Sequence, residues 1–304
     1  MKKIFLTGTL AMSLLIGNSA DAARYFTQGD NPGSSTPYGD NLKVGAYVQA
    51  VDAKIYYEVY GKGEPILILH GGGVGSPYEL GKILDELKKN HKLIVMSTRG
   101  HGRSEIGHEP LTYKQKADDA LAVLDDLKIS KPIQILGFSD GAYTAYEIAA
   151  LYPERVERIT AIGAGTLKAG YFQSEISLAD LEKLDEKFFA AQKKIRPEPE
   201  RWQEFLSDYM KFWSKHSVGA ETFEKIKCPV LLITGDEDDH APVITVLEAH
   251  QLIKNSRLCV VPKAWHTAFL DNYDVTAAAI FQFINAPLET LTPSKKVEYN
   301  LRKE

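Results

Sequence analysis

A serine hydroxyl is a weak nucleophile. It needs a base to take its proton, a third group to orient that base, and N–H donors for the charge that develops on the attacked oxygen. The stretch Gly137-Phe138-Ser139-Asp140-Gly141 offers such a serine. It follows the apolar run IQILGF and precedes AYTAYEIAALY, so the pattern is strand, turn, helix. Small residues on either side of Ser139 allow a tight turn that pushes the side chain out above the sheet edge. The N–H of Asp140, at the helix start, has no intrahelical acceptor and is a candidate oxyanion donor. Taken alone, G-x-S-x-G is short enough to arise by chance, and Ser139 could be an ordinary helix cap.

The other parts must therefore be found elsewhere. A second donor is expected in the glycine-rich turn of ILILHGGGVGS, where Gly72 is the first choice and Gly73 the fallback. Glycine lets backbone approach a ligand with no Cβ in the way; the plainer reading is a tight strand-to-helix connection. LLITGDEDDHAP offers Asp236, Glu237, Asp238 and Asp239 as the acid. Four acids together suggest a metal site, but the calcium-loop pattern with its distal Glu is absent, and an acidic surface turn is the remaining alternative. Of eight histidines, His266 in VVPKAWHTAFLD stands in a loop directly after a strand, well past Ser139. His91, His101, His108, His216 and His250 do not follow a strand in that order. His240 is too close to Asp238 along the chain to reach around to the serine.

These residues need a frame. RYFTQGDNPGSSTPYGDN reads as a flexible leader over residues 23–43. AYVQAV and KIYYEVY form a hairpin, and PILILH is a short apolar run of the kind a fully buried strand shows. Strands and helices then alternate: Ser76 and Pro77 open a helix over YELGKILDELKKN, KLIVMS is a strand, and Thr112 caps YKQKADDALAVLDDLK. After the strand VERITAIGAG the alternation breaks over about residues 166–227 and resumes with PVLLITG, a helix around VITVLEAHQLI, SRLCVV and a last helix in DVTAAAIFQFI. Such alternation implies an α/β fold: a mostly parallel sheet with helices on both faces and an antiparallel N-terminal hairpin. In the interruption, Leu178, Leu181, Leu184 and Phe188 recur at helical steps, as do Trp202, Phe205, Tyr209 and Trp213. These stripes pack helices on each other and on the body, and a helical cap over the strand ends would roof a pocket. Residues 287–304 read as a solvated tail.

Composition narrows the class. Charged residues are 25% and hydrophobic ones 44% of the 304, with a formal net charge of −4. That balance gives no reason to expect nucleic acid or an anionic membrane as partner. Met1-Lys2-Lys3, the apolar run over residues 4–17 and the small-x-small pair Ala20 and Ala22 read as a signal peptide removed after about Ala22. The run is shorter than the roughly 20 residues a membrane span needs. No Cys near the cleavage site marks a lipoprotein, and no later segment is apolar enough to span a membrane. The chain is thus expected to be exported, periplasmic or secreted. Cys228 and Cys259 adjoin apolar runs and read as buried small hydrophobes rather than a disulfide framework.

With these motifs in hand, the sequence resembles the α/β-hydrolase fold superfamily from about Val44 to Ala286. The matching stretches are HGGG from His70, TRGHGRS from Thr98, GFSDG from Gly137, GDEDD from Gly235, and Trp265-His266. The order Ser…Asp…His, each at a strand end, is that of the family. The resemblance implies Ser139 as nucleophile, His266 as base, Asp238 as orienting acid because it completes G-x-x-D, and the N–H groups of Asp140 and Gly72 as oxyanion hole. Ser97 departs from the family's usual Asp, and Arg99 and His101 in that loop are expected to be scaffold. The implied function is hydrolysis of a small-molecule carboxylic ester or lactone through an acyl-enzyme, with no metal or organic cofactor. A serine nucleophile speaks against dehalogenase and epoxide hydrolase relatives, and Val74 weakens a proline iminopeptidase. Carbon–carbon bond hydrolases, lactonases, perhydrolases and acyltransferases share the motifs.

Two readings of other classes compete. The turn in ILILHGGGVGS and the Arg after the next strand mimic a dinucleotide site. The third glycine of that pattern is Ser76 here, and two strands precede the supposed first one. The other rival is a non-catalytic binding protein on a hydrolase scaffold, which commonly lacks a triad member.

Overall fold

The computed structural model describes residues 24–28, 33–172 and 175–293. Eight strands form one sheet: β1 (Gly45–Gln49), β2 (Lys54–Tyr60), β3 (Pro65–Leu69), β4 (Lys92–Met96), β5 (Ile133–Phe138), β6 (Val156–Ile162), β7 (Val230–Gly235) and β8 (Ser256–Val261). Their spatial order is β1-β2-β4-β3-β5-β6-β7-β8. From β4 to β8 every neighbouring pair is parallel, while β2 meets both β1 and β4 antiparallel, as the hairpin pattern implies. The central strands β3, β5 and β7 are buried at every residue, which is why they read as unbroken apolar runs.

Helices α1 (Gly81–Leu87), α2 (Tyr113–Asp126) and α3 (Asp140–Leu151) connect the first strands. Four more, α4 (Leu178–Leu184), α5 (Glu186–Ile195), α6 (Trp202–Lys215) and α7 (Ala220–Phe223), stand between β6 and β7. Helices α8 (Val243–Leu252), α9 (Ala268–Asp271) and α10 (Tyr273–Asn285) complete the chain. The cap signals work as read: Thr112 Oγ1 accepts from the Gln115 N–H at 3.0 Å, and Ser76 Oγ from that of Tyr78 at 3.3 Å. Pro77 sets a 3₁₀ turn there, so α1 starts later than the periodicity suggested.

Side chains alternate across the sheet. Ile66 and Ile68 join Ile83, Leu84, Ile280 and Phe283 on one face, while Leu67 and Leu69 join Ala117, Ala120, Leu124 and Val246 on the other. Such burial contributes roughly 1.5–3 kcal/mol per large apolar side chain. A third cluster of Phe188, Phe189, Trp202, Phe205, Leu206 and Tyr209 binds α5 and α6 together above the strand C-termini. The α4 stripe is weaker than its spacing implied: α4 has no buried residue and Leu184 is exposed, because seven residues give it only two turns.

The leader departs from a flexible segment wherever it is described. Tyr38 is fully buried and donates to Asp85 at 3.0 Å, and the N–H groups of Gly39 and Asn41 donate to Glu58 at 2.8 and 2.6 Å. Glu58 is itself fully buried, and a buried carboxylate must find donors, here supplied by the leader together with Tyr56 and Tyr60. The start of the tail is likewise fastened: Asn255 donates to the Leu291 carbonyl at 2.6 Å and Arg257 to that of Thr292 at 2.6 Å. The expected signal peptide, residues 1–22, lies outside the described residues. Among the described residues no helix is long and apolar enough to cross a membrane. Cys228 and Cys259 are unpaired and half-buried rather than fully enclosed, and burial pushes both thiols up, Cys228 to about 12.

Candidate active site

The elbow between β5 and α3 sets the site. Ser139 has φ 50° and ψ −117°, a conformation that only an over-determined turn holds in a non-glycine residue. What forces it is the close passage of backbone on both sides. A Cβ on Gly137 would lie 2.6 Å from the Gly141 carbonyl oxygen, and one on Gly141 would strike the Leu69 and His70 carbonyls. The Ser139 N–H is tied to the Ile162 carbonyl at 2.7 Å, which anchors the elbow to β6.

Three side chains meet at this point. His266 Nε2 lies 2.9 Å from Ser139 Oγ, and His266 Nδ1 lies 3.0 Å from each oxygen of Asp238. With its Nδ1 proton held by Asp238, the imidazole turns an acceptor nitrogen to the hydroxyl. Asp238 is buried, and burial alone would raise its pKa. The hydrogen bond and charge of His266 and the N–H groups of Ala241 and His240 outweigh that effect, leaving the carboxyl below its ordinary value. The acidic turn thus divides by position: Asp236, Glu237 and Asp239 are exposed, and only Asp238 points inward.

The glycine turn after β3 is clamped from below. The buried His70 ring donates from Nδ1 to the Gly71 carbonyl at 2.6 Å and accepts the Thr98 N–H on Nε2 at 3.0 Å. Burial holds it down at about 4, so it stays neutral. The Gly71 N–H is taken by Glu79 Oε1 at 2.7 Å and is not free to serve an oxyanion, so the expected donor stays with Gly72, or Gly73 in its place. Gly72 is pressed between Asp140 and the cap, since a Cβ there would lie 2.6 Å from the Trp213 ring. Gly73, at φ +66°, is less crowded: a Cβ there would lie 3.7 Å from the Trp213 ring. The TRGHGRS loop is scaffold: Arg99 forms a fork to Asp119 at 2.9 and 2.8 Å, and His101 is buried against Phe205 and Tyr209.

Several residues near the site escaped the sequence reading. The Asp140 side chain is not solvated. Lys116 Nζ lies 2.8 and 2.7 Å from its two oxygens, Tyr209 donates to it at 2.8 Å and Trp213 Nε1 at 3.2 Å. The ion pair is buried on both sides, with side-chain exposures of 1% and 0%. Lys116 Nζ also sits 4.2 Å from the centre of the Tyr209 ring. Burial lowers the Lys116 pKa, against the pull of Asp140. One cap helix is thereby fastened to the residue after the serine. The available signal was phase: Lys116 stands three residues after Tyr113 and four before Ala120, on the buried stripe of α2, where a charge needs a partner. Glu79 was also passed over, and burial lifts its carboxyl to about 8.

His240, set aside because it cannot reach Ser139, stacks on His266 instead, with ring centres 4.7 Å apart and planes at 23°. Asp238, His240 and His266 are the group of ligating side chains within reach of one ion among the described residues. The stacked imidazoles aim their in-plane lone pairs along nearly parallel planes, and both Asp238 oxygens already accept hydrogen bonds. The cluster suits proton transfer better than coordination.

Space on the two sides of Ser139 is unequal. One lobe of about 660 Å³ reaches from the glycine turn to Phe26, Leu181, Leu206 and Leu270. The other, about 30 Å³, is enclosed by Tyr143, Leu167, Phe172 and Trp213; it holds on the order of two waters. A further groove of about 500 Å³ between residues 106–112 and α6 includes neither Ser139 nor His266 and stands apart from this site.

Known proteins share the fold. Residues 64–198 match the family profile described as alpha/beta hydrolase fold. The chain is 24% identical over 275 residues to "Serine hydrolase BPHL" of Homo sapiens, covering 82% of this chain and 90% of that protein. Among solved structures it is similar to the meta-cleavage product hydrolase from Pseudomonas fluorescens IP01 (21% identity, TM-score 0.67, 81% of this chain and 99% of the other). It is likewise similar to the enol-lactonase from Burkholderia xenovorans LB400 (20% identity, TM-score 0.67, 79% and 100%).

Proposed function

Residues 64–198 match the alpha/beta hydrolase fold family and the eight-stranded sheet has that fold; from that premise we propose that the chain is an exported serine hydrolase of carboxylic esters or lactones. The observation that carries the reading is the His266 ring, 2.9 Å from Ser139 Oγ on one nitrogen and 3.0 Å from Asp238 on the other. Ser139 Oγ attacks the carbonyl carbon while His266 Nε2 takes its proton, and Asp238 holds the imidazole in the tautomer that can do so. The N–H groups of Asp140 and Gly72 receive the oxyanion. His266 returns the proton to the departing alkoxide, and water releases the acyl group by the same steps in reverse roles.

The unequal lobes favour a substrate with one small substituent at the scissile carbonyl and one larger apolar one. Export rests on the basic, apolar and small-residue pattern of residues 1–22; N-terminal sequencing of protein recovered outside the cytoplasm should begin near Ala23. The catalytic test is hydrolysis of p-nitrophenyl acetate and butyrate by the Ser139→Ala chain, expected to fall by at least about a thousandfold. Full activity in that variant would defeat the mechanism. Labelling of Ser139 by a fluorophosphonate separates a catalyst from a binding protein on the same scaffold. A carbon–carbon bond hydrolase would use the same three residues, a reading kept open by the similar meta-cleavage product hydrolase from Pseudomonas. It would be distinguished by turnover of a vinylogous diketone in preference to simple esters.

A further inference from the structure

The larger lobe is not walled by the hydrolase body and the cap alone. Tyr25, Phe26, Thr27 and Gln28, which precede the first strand, line it together with the glycine turn. This short strap is fixed at both ends. Arg24 Nη2 lies 3.4 Å from Asp185, the Thr27 N–H donates to the same carboxylate at 2.9 Å, and Asp185 also caps α5 through the Phe188 N–H at 3.0 Å. On the other side Tyr25 is buried beside Tyr78, with ring centres 6.5 Å apart. Between these anchors the Phe26 ring packs on Phe188 and Phe189 of the cap, each at 5.7 Å, and lines the larger lobe. Thr27 takes φ +58°, which turns the chain sharply and brings its N–H onto Asp185.

We propose that the strap Arg24–Gln28 is a specificity-determining wall of the substrate pocket, that Phe26 is its contact with an extended apolar substituent of the ester, and that Asp185 is its latch. The inference rests on the proposed hydrolase reading for the identity of the substrate, though not for the existence of the wall. Phe26 is half-buried, with Leu181, Leu206 and Leu270 lining the same lobe. A ligand chain of several methylenes lying there removes apolar surface from water on both partners. Under the export reading, cleavage after about Ala22 leaves this strap beside the N-terminus of the mature chain.

Two measurements on the full chain test the wall. In the first, kcat/KM is compared on p-nitrophenyl acetate, butyrate and octanoate. Phe26→Ala is expected to lower the octanoate-to-acetate ratio about tenfold, with acetate altered less than twofold, and Phe26→Trp to move the preference toward shorter acyl chains. Asp185→Asn keeps the helix cap and the Thr27 acceptor while losing the Arg24 ion pair, and is expected to lower the ratio by a smaller factor. In the second, octanoate binding is measured by calorimetry in the Ser139→Ala chain with and without Phe26→Ala, where an approximately tenfold loss of affinity is expected. Unchanged ratios and unchanged octanoate affinity, in variants that melt as the parent does, overturn the proposal. If Ser139→Ala still hydrolyses esters, the serine mechanism fails while the binding comparison continues to judge the wall.

Discussion

Replacing Lys116 by Met tests whether the buried ion pair holds the cap to the nucleophile elbow. The ammonium and the Asp140 carboxylate are 24 residues apart in sequence and meet at 2.7–2.8 Å with almost no solvent. Met preserves the length and apolar stem of the lysine, so the packing of α2 changes little. What remains is a carboxylate enclosed by protein with only the Tyr209 hydroxyl and the Trp213 N–H as donors. Removing one member of such a pair costs about 3–5 kcal/mol, most of it the penalty for an uncompensated buried charge. At roughly 2–4 °C per kcal/mol for a large domain, melting should fall by about 6–20 °C. The second variant, Lys116→Met with Asp140→Asn, removes the charge left behind while keeping an acceptor for Tyr209. It should recover part of that loss, and the sign of the coupling is the diagnostic. Chemical denaturation of the four chains of the cycle measures both quantities. A cost below about 1 kcal/mol for Lys116→Met, or strict additivity in the double variant, would refute the argument that the pair is a buried, mutually dependent unit.

Glu79 gives a pH signature. Its carboxyl is lifted from 4.5 to about 8 by burial, so the folded protein binds the proton more tightly than the unfolded chain. The resulting stability is fully present below about 4.5 and is lost as pH rises through about 8. Glu79→Gln should flatten that decline, and an unchanged slope in denaturation between pH 5 and 8 would count against it. Asp238→Asn keeps the shape of the turn but offers His266 the wrong partner. Ester hydrolysis should drop on the order of 10⁴-fold in kcat with little change in melting temperature, and a loss under tenfold would remove Asp238 from the triad. Gly141→Ala drives a Cβ into the Leu69 and His70 carbonyls. It should destabilise by about 3 kcal/mol or more, seen as a lowered denaturation midpoint.

Much of this arrangement was legible before any coordinates. Strands buried on both faces wrote themselves as apolar runs, as PILILH and IQILGF show, and helices as three- and four-residue steps, because each element's period is local. Ser139, Asp238 and His266 could be found because parallel strands place their C-terminal ends in one row, so residues following successive strands become neighbours. Local chemistry could not say where irregular segments lie. The leader's glycines, serines and prolines suggested freedom, yet Glu58 and Asp185 hold it through backbone N–H groups that any sequence possesses. His240 was judged by its reach to the serine, and its stacking on His266 depends on how the turn after β7 bends. The sequence by itself determined the order of strands and helices and the three residues of the candidate triad. Only the tertiary structure decided that Lys116, Asp140, Tyr209 and Trp213 converge and that Phe26 lines the pocket, because burial and charge compensation are properties of packed neighbours and not of positions along a chain.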